Sequence, residues 1–190
     1  MSIEVVHKVL EEAASVMLAA KGCAKDIVQL ASSIHEAFER GNKVVVFGNG
    51  GSASDAQHFA GELVGRFKLS RAPLPAISLT ADSAVLTALA NDFGFESAFS
   101  KQVEAIASHG DVAIGISTSG ASENVLRALR VAKCKGATAA LLTGERGKHL
   151  RGEFDICIAV PSEDTQRIQE AHGVILHIVC ELVERLVCKS

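Results

Sequence analysis

At 190 residues, with 48% hydrophobic residues and a net charge of −3, the chain has enough apolar material for one sizeable core. It has no basic block, no apolar run of transmembrane length and no signal-peptide pattern after Met1-Ser2-Ile3-Glu4. That argues against a nucleic-acid surface, a membrane span and secretion. Five scattered cysteines (Cys23, Cys134, Cys157, Cys180 and Cys188) lack Cys-x-x-Cys spacing and read as reduced thiols of a cytoplasmic protein.

Residues 3–20 and 24–40 carry apolar positions at intervals of three and four (Val5, Val9, Ala13, Val16; then Ile27, Leu30, Ile34, Phe38), which predicts an opening pair of helices. Short, almost wholly apolar runs follow at Lys43–Phe47, Ala76–Leu79, Val112–Ile116, Ala137–Leu142 and Ile156–Val160. Each is too short for a helix and stops at turn or hydroxyl residues, as strands buried on both faces do. Helical patterns between most of them make the unit a repeated βα, and Asp164 to Val187 reads as a long closing helix. The expected fold is therefore α/β: a five-stranded parallel sheet between helical layers, behind an N-terminal helical pair. Residues 1–190 form one domain, with the hairpin at 1–40 and the core at 41–190. The long apolar hairpin suits a helical interface between copies.

In such sheets ligands collect at the carboxyl ends of the strands, where Gly48–Ser54, Thr80–Ser83 and Ser117–Ser122 fall. The last of these, Ser117-Thr118-Ser119-Gly120-Ala121-Ser122, puts hydroxyls and free backbone N–H groups at a helix start, a ready seat for a phosphate. It lacks the lysine of a nucleotide P-loop. The first loop has Gly48, Gly50 and Ala53 at dinucleotide-fingerprint spacing. The acid that should close the second strand is missing, which excludes a nicotinamide cofactor. Its glycines either let N–H groups approach a sugar phosphate or simply make a tight turn.

His58 and Glu62 stand at i and i+4 of the next helix, on one face, where they can share a metal or a substrate, or only a surface hydrogen bond. Gly61 sacrifices helix propensity there, as a close approach by a ligand or second chain would require. Asn91-Asp92 reads either as a helix stop or as acceptors for sugar hydroxyls. On the last helix, Gln169, His172 and His177 form a polar series on an otherwise apolar element. His177 sits among apolar neighbours and reads by default as a satisfied core histidine. Gln169 and His177 are about 12 Å apart along the axis, near the limit for meeting one ion.

The segments FGNGGSASDAQHFAGELVGRF, ALANDFGFE, GDVAIGISTSGASENV and RIQEAHGVILHIVCELVE together resemble the phosphoheptose isomerases, sedoheptulose-7-phosphate isomerases of the sugar isomerase (SIS) fold, over nearly the whole chain. The resemblance implies that the three-layer fold is flavodoxin-like. It implies substrate contacts at Asn49, Gly50, Gly51, Ser52, Glu62, Asn91, Asp92, Ser117, Thr118, Ser119, Ser122 and Gln169. It further implies one zinc per subunit held by His58, Glu62, Gln169 and His177, acid–base roles for Glu62 and His177, and a homotetramer with active sites at subunit contacts. Neither nucleic acid nor membrane is an expected partner. The chain departs from the family at Gln166 and Gly61, where relatives often carry acids. Two rivals share the fold. Replication-initiation factors lack the acid and histidine retained here at Glu62 and His177. Isomerases or regulators for amino-sugar or pentose phosphates often carry an extra domain for which this chain has no room.

Overall fold

The computed structural model describes residues 2–188. Helices α1 (Ile3–Ala19) and α2 (Ala24–Glu39), joined by a 3-10 turn, lead into strand β1 (Val44–Gly48). Then come α3 (Gly51–Val64), β2 (Ala76–Ser78), α4 (Ser83–Phe93), α5 (Ala98–Ile106), β3 (Val112–Ser117), α6 (Glu123–Cys134), β4 (Thr138–Gly144), β5 (Ile156–Val160) and α7 (Thr165–Val187). All strands are parallel, in the order β2-β1-β3-β4-β5. The apolar runs thus mark all five strands. The fourth starts one residue later than its run and reaches Gly144, and the second stops at Ser78.

Both faces of the sheet are covered. Val44 and Val46 of β1 join Ile34, Phe59, Leu63, Ile175 and Val179 in a core that packs α2, α3 and α7 on one face. Val45 and Phe47, pointing the other way as alternate strand residues must, join Phe99, Val103, Val125 and Leu129 beneath α5 and α6. The order reverses between β1 and β3, so the loops after these two strands face one crevice.

Two elements stand apart. Helix α1 buries none of its residues and leaves Val5, Val6, Leu10 and Leu18 exposed. Helix α4 likewise buries none, and Phe93 at its end is exposed.

The closing helix reverses the expected roles of its histidines. Ile168, His172, Ile175 and Val179 share the buried stripe, so His172 is the core histidine, whereas His177 is exposed. His172 Nε2 bonds to the Thr143 carbonyl at 3.2 Å, and its Nδ1 is buried without a partner. Burial pushes this imidazole from 6.5 down to about 4, against the opposing pull of the Thr143 bond. Between those values the unfolded chain takes up a proton that the folded chain refuses. Stability is therefore full above pH 6.5 and declines as pH falls, by roughly 3 kcal/mol at pH 4 from this ring. Urea midpoints measured from pH 7 to pH 4 should show the decline, and His172→Gln should flatten it.

Candidate active site

Two of the helices, α3 and α6, begin at the crevice. Helices α4 and α7 are capped by Asp82 and Asp164, whose carboxylates accept N–H bonds from the first turn. Helix α3 begins behind Gly50 and α6 behind Ser122, and neither has a capping side chain. Two helix N-termini meet where the strand order reverses; Val125 N–H of α6 is bonded to Asn124 Oδ1 at 3.0 Å, and the remaining first-turn N–H groups suit an anion.

The serine loop is shaped for that role. Gly120 adopts φ +67°, Ser117 Oγ donates to Ser122 Oγ at 2.8 Å, and Ala121 N–H donates to Ser119 Oγ at 3.2 Å. Thr118 is half-buried and Ser119 exposed. The Thr118 carbonyl accepts Gly144 N–H, which ties the loop to the end of β4. Glu123 points outward, 3.7 Å from Arg130, and so keeps its charge away from an anion in the loop.

The glycine loop is locked to the serine loop by a pair of amides. Asn49 Nδ2 donates to Asn124 Oδ1 and Asn124 Nδ2 donates back to Asn49 Oδ1, both at 2.9 Å. Gly50, at φ +55°, turns the chain into α3, and Ser52 is buried on its first turn. Gln169 reaches the same place: a Cβ built on Gly51 would lie 2.6 Å from its Nε2. Asn124 escaped the sequence reading because its partner is 75 residues away and an asparagine early in a helix carries no signal of its own.

A second cluster lies down α3. His58 Nε2 is 3.1 Å from Glu62 Oε1 and 3.0 Å from His177 Nε2, and one atom of each residue lies within 4.8 Å of the others. Parallel packing of α3 and α7 against the same face of the sheet brings the three together. His58 and His177 are exposed and Glu62 half-buried. Asp55, one turn before His58, is half-buried with Oδ2 lacking a partner. Burial raises its carboxyl, against the pull of His58.

One chain does not unite every expected residue. Gln169 lies at Gly51, seven residues or about 10 Å of helix rise before His58. It is therefore separated from the other three expected metal ligands. Asn91 and Asp92 are exposed on the last turn of α4, where their side chains bond to each other at 2.7 Å. A Cβ on Gly61 would meet nothing within 4 Å, so the approach that would explain this glycine does not come from its own chain.

The parallel sheet with its switch point between β1 and β3 has the architecture of the SIS class, and the SIS domain family model matches residues 9–144. Phosphoheptose isomerases from Aquifex aeolicus and Pelobacter propionicus are each 54% identical to the chain, over 98% and 84% of both sequences respectively. Solved phosphoheptose isomerases from Neisseria gonorrhoeae and Francisella tularensis superpose with TM-scores of 0.90 and 0.92 at 37% and 36% identity. They match 96% and 97% of this chain and 98% and 99% of their own. The chain belongs to the phosphoheptose isomerase family, whose members are isomerases acting on a sugar phosphate.

Proposed function

We propose that this chain interconverts sedoheptulose 7-phosphate and D-glycero-D-manno-heptose 7-phosphate through a cis-enediol. The product would enter nucleotide-activated heptose for cell-surface glycans, lipopolysaccharide or capsule. The observation that carries the reading is the meeting of His58, Glu62 and His177 in a chain that also has an uncapped, hydroxyl-lined anion seat. Family membership supports the substrate.

The chemistry asks for a base that takes a carbon-bound proton and a group that manages the proton on the neighbouring oxygens. Glu62 removes the C1 proton of the ketose and returns it to C2. His177 donates a proton to O2 as the C2 carbonyl becomes a hydroxyl, and takes up the O1 proton as C1 becomes the aldehyde, which restores its own protonation. Ser117, Thr118, Ser119 and Ser122, with the N–H groups at the starts of α3 and α6, hold the phosphate and lend its binding energy to positioning the reacting carbons. Asn49, Gly50, Gly51, Ser52, Asn91, Asp92 and Gln169 complete the sugar contacts.

Two imidazole nitrogens and a carboxylate oxygen suit zinc and leave a coordination position open, so His58, Glu62 and His177 would hold the ion. When bound, the ion supplies Lewis-acid polarisation of substrate oxygens. Coordination of Glu62 competes with its role as base. The place of Gln169 beside Gly51 fits a sugar contact in its own chain better than membership of that donor set.

The exposed apolar face of α1 and the groove of about 360 Å³ lined by Met17, Ile27, Val28, Val174, Ile178 and Leu182 support a homotetramer. Separation of the anion seat from the exposed His58–Glu62–His177 cluster supports an active site shared between subunits. Residues 1–190 would act as one SIS domain. Five free cysteines support a cytoplasmic location, and no helix among the described residues is long and apolar enough to cross a membrane.

Incubation of the purified chain with sedoheptulose 7-phosphate should yield heptose 7-phosphate, with loss of turnover after chelation and recovery on adding zinc. A folded, zinc-loaded tetramer with no turnover would overturn the reading.

A further inference from the structure

Between α3 and β2 the chain folds back on itself around a buried ion pair. The Glu184 side chain on α7 is 1% exposed and accepts N–H bonds from Phe67, Lys68 and Leu69 at 2.9, 2.9 and 3.0 Å. Arg71, its side chain 3% exposed, places Nε 3.2 Å from Glu184 Oε1. Its Nη1 and Nη2 donate to the carbonyls of Leu63 (2.7 Å) and Glu62 (2.8 Å), and Nη1 also reaches the Gly65 and Ala72 carbonyls. Burial alone would raise the Glu184 carboxyl; the three N–H donors and Arg71 outweigh it and hold the group below the ordinary carboxylate range.

The arrangement bears on the reacting groups in two ways. Arg71 binds the last turn of α3, which carries Glu62, and through Glu184 ties it to α7 two turns beyond His177. The N–H bond to Glu184 also fixes Phe67, whose ring centroid lies 5.3 Å from that of His177, while His58 lies 5.1 Å from His177 by the same measure. His177 is exposed; its Nε2 lies 3.0 Å from His58 Nε2, and Phe67 and His58 are the rings that flank it. Lys68 adds a bond to Glu181 at 2.6 Å on the outer side of the segment.

We propose that Phe67, anchored by the Arg71–Glu184 pair, is a positioning residue that holds the His177 imidazole in its working orientation. This rests on the acid–base role given to His177 above. Misplacement of a reacting group by about an ångström can cost on the order of a hundredfold in rate, so loosening one of two flanking rings should be visible in kcat.

Removing Arg71 or Glu184 leaves its partner buried and uncompensated, which strongly destabilises the fold, so the test uses Phe67. In the full-length enzyme, Phe67→Leu keeps an apolar side chain but removes the ring. It should lower kcat about tenfold and leave KM within about twofold. Phe67→Tyr retains the ring and should restore at least about half of the wild-type kcat. Unchanged kcat in Phe67→Leu, or an equal loss in Phe67→Tyr, overturns the proposal. The contact has a readout independent of turnover: the His177 ring protons should carry a ring-current shift from Phe67 in addition to that of His58, and the Phe67 part should disappear in Phe67→Leu. Absence of that shift in the wild type also overturns it. A wild type that shows the shift but no turnover would overturn the enzymatic reading and leave the orienting contact standing.

Discussion

Glu62→Gln should lower kcat by about a thousandfold or more while the chain still binds the sugar phosphate. The amide keeps the size of the carboxylate and can still meet His58 Nε2, now 3.1 Å from Glu62 Oε1, but it cannot accept the C1 proton. General base catalysis contributes on the order of 10²–10⁴-fold, and loss of the group that cycles the proton should remove most of it. Binding should survive because the phosphate seat proposed here lies at the starts of α3 and α6, whereas Glu62 lies on the last turn of α3. The Arg71 bond to residue 62 goes to its backbone carbonyl and is untouched. Turnover would be followed by product formation and binding by calorimetry with sedoheptulose 7-phosphate. Retention of a tenth of wild-type kcat would remove Glu62 from the role of base, and loss of binding together with turnover would assign it a structural role.

Gly120→Ala should lower kcat/KM about a hundredfold, with most of the effect in KM. The residue sits at φ +67°, where an L side chain costs roughly 1–2 kcal/mol. A Cβ there would overlap the Cα of Gly147 and press on Thr143 Oγ1 at 3.1 Å, which adds overpacking of about 1–3 kcal/mol. Neither neighbour can yield easily, because Gly147 is backbone and Thr143 belongs to a central strand with Oγ1 already buried and without a hydrogen-bond partner. The loop must then abandon the conformation that presents Ser117, Ser119 and Ser122 to a phosphate. About 3 kcal/mol corresponds to roughly a hundredfold in affinity. Protection by inorganic phosphate against thermal unfolding should vanish in the same variant. An unchanged KM would mean that the phosphate is held elsewhere.

Much of this was readable in the chain. Continuous apolar runs ending in hydroxyls and glycines marked all five strands, and four of them are buried on both faces; β2, at the sheet edge with Ile77 41% exposed, is not. The i,i+4 spacing put His58 beside Glu62. The exchange between His172 and His177 was also within reach, because Ile168, His172, Ile175 and Val179 follow helical spacing and His177 falls off that stripe. What local pattern could not carry was pairing across the chain. The Asn49–Asn124 amides and the Arg71–Glu184 pair join residues whose neighbourhood is made only by tertiary packing. Nor could it show that Gln169 comes to rest at Gly51, because that depends on how α7 slides along α3.

Helix α4 has a thermodynamic consequence of its own. With no buried residue, it draws little stability from the core, in contrast to α6, which buries half of its length including Val125, Leu126, Ala128 and Leu129. Its amides should exchange with solvent well before those of α6. A sugar that engaged Asn91 and Asp92, as proposed, would spend part of its binding free energy on ordering this helix, and its affinity would fall below what the contacts alone would give.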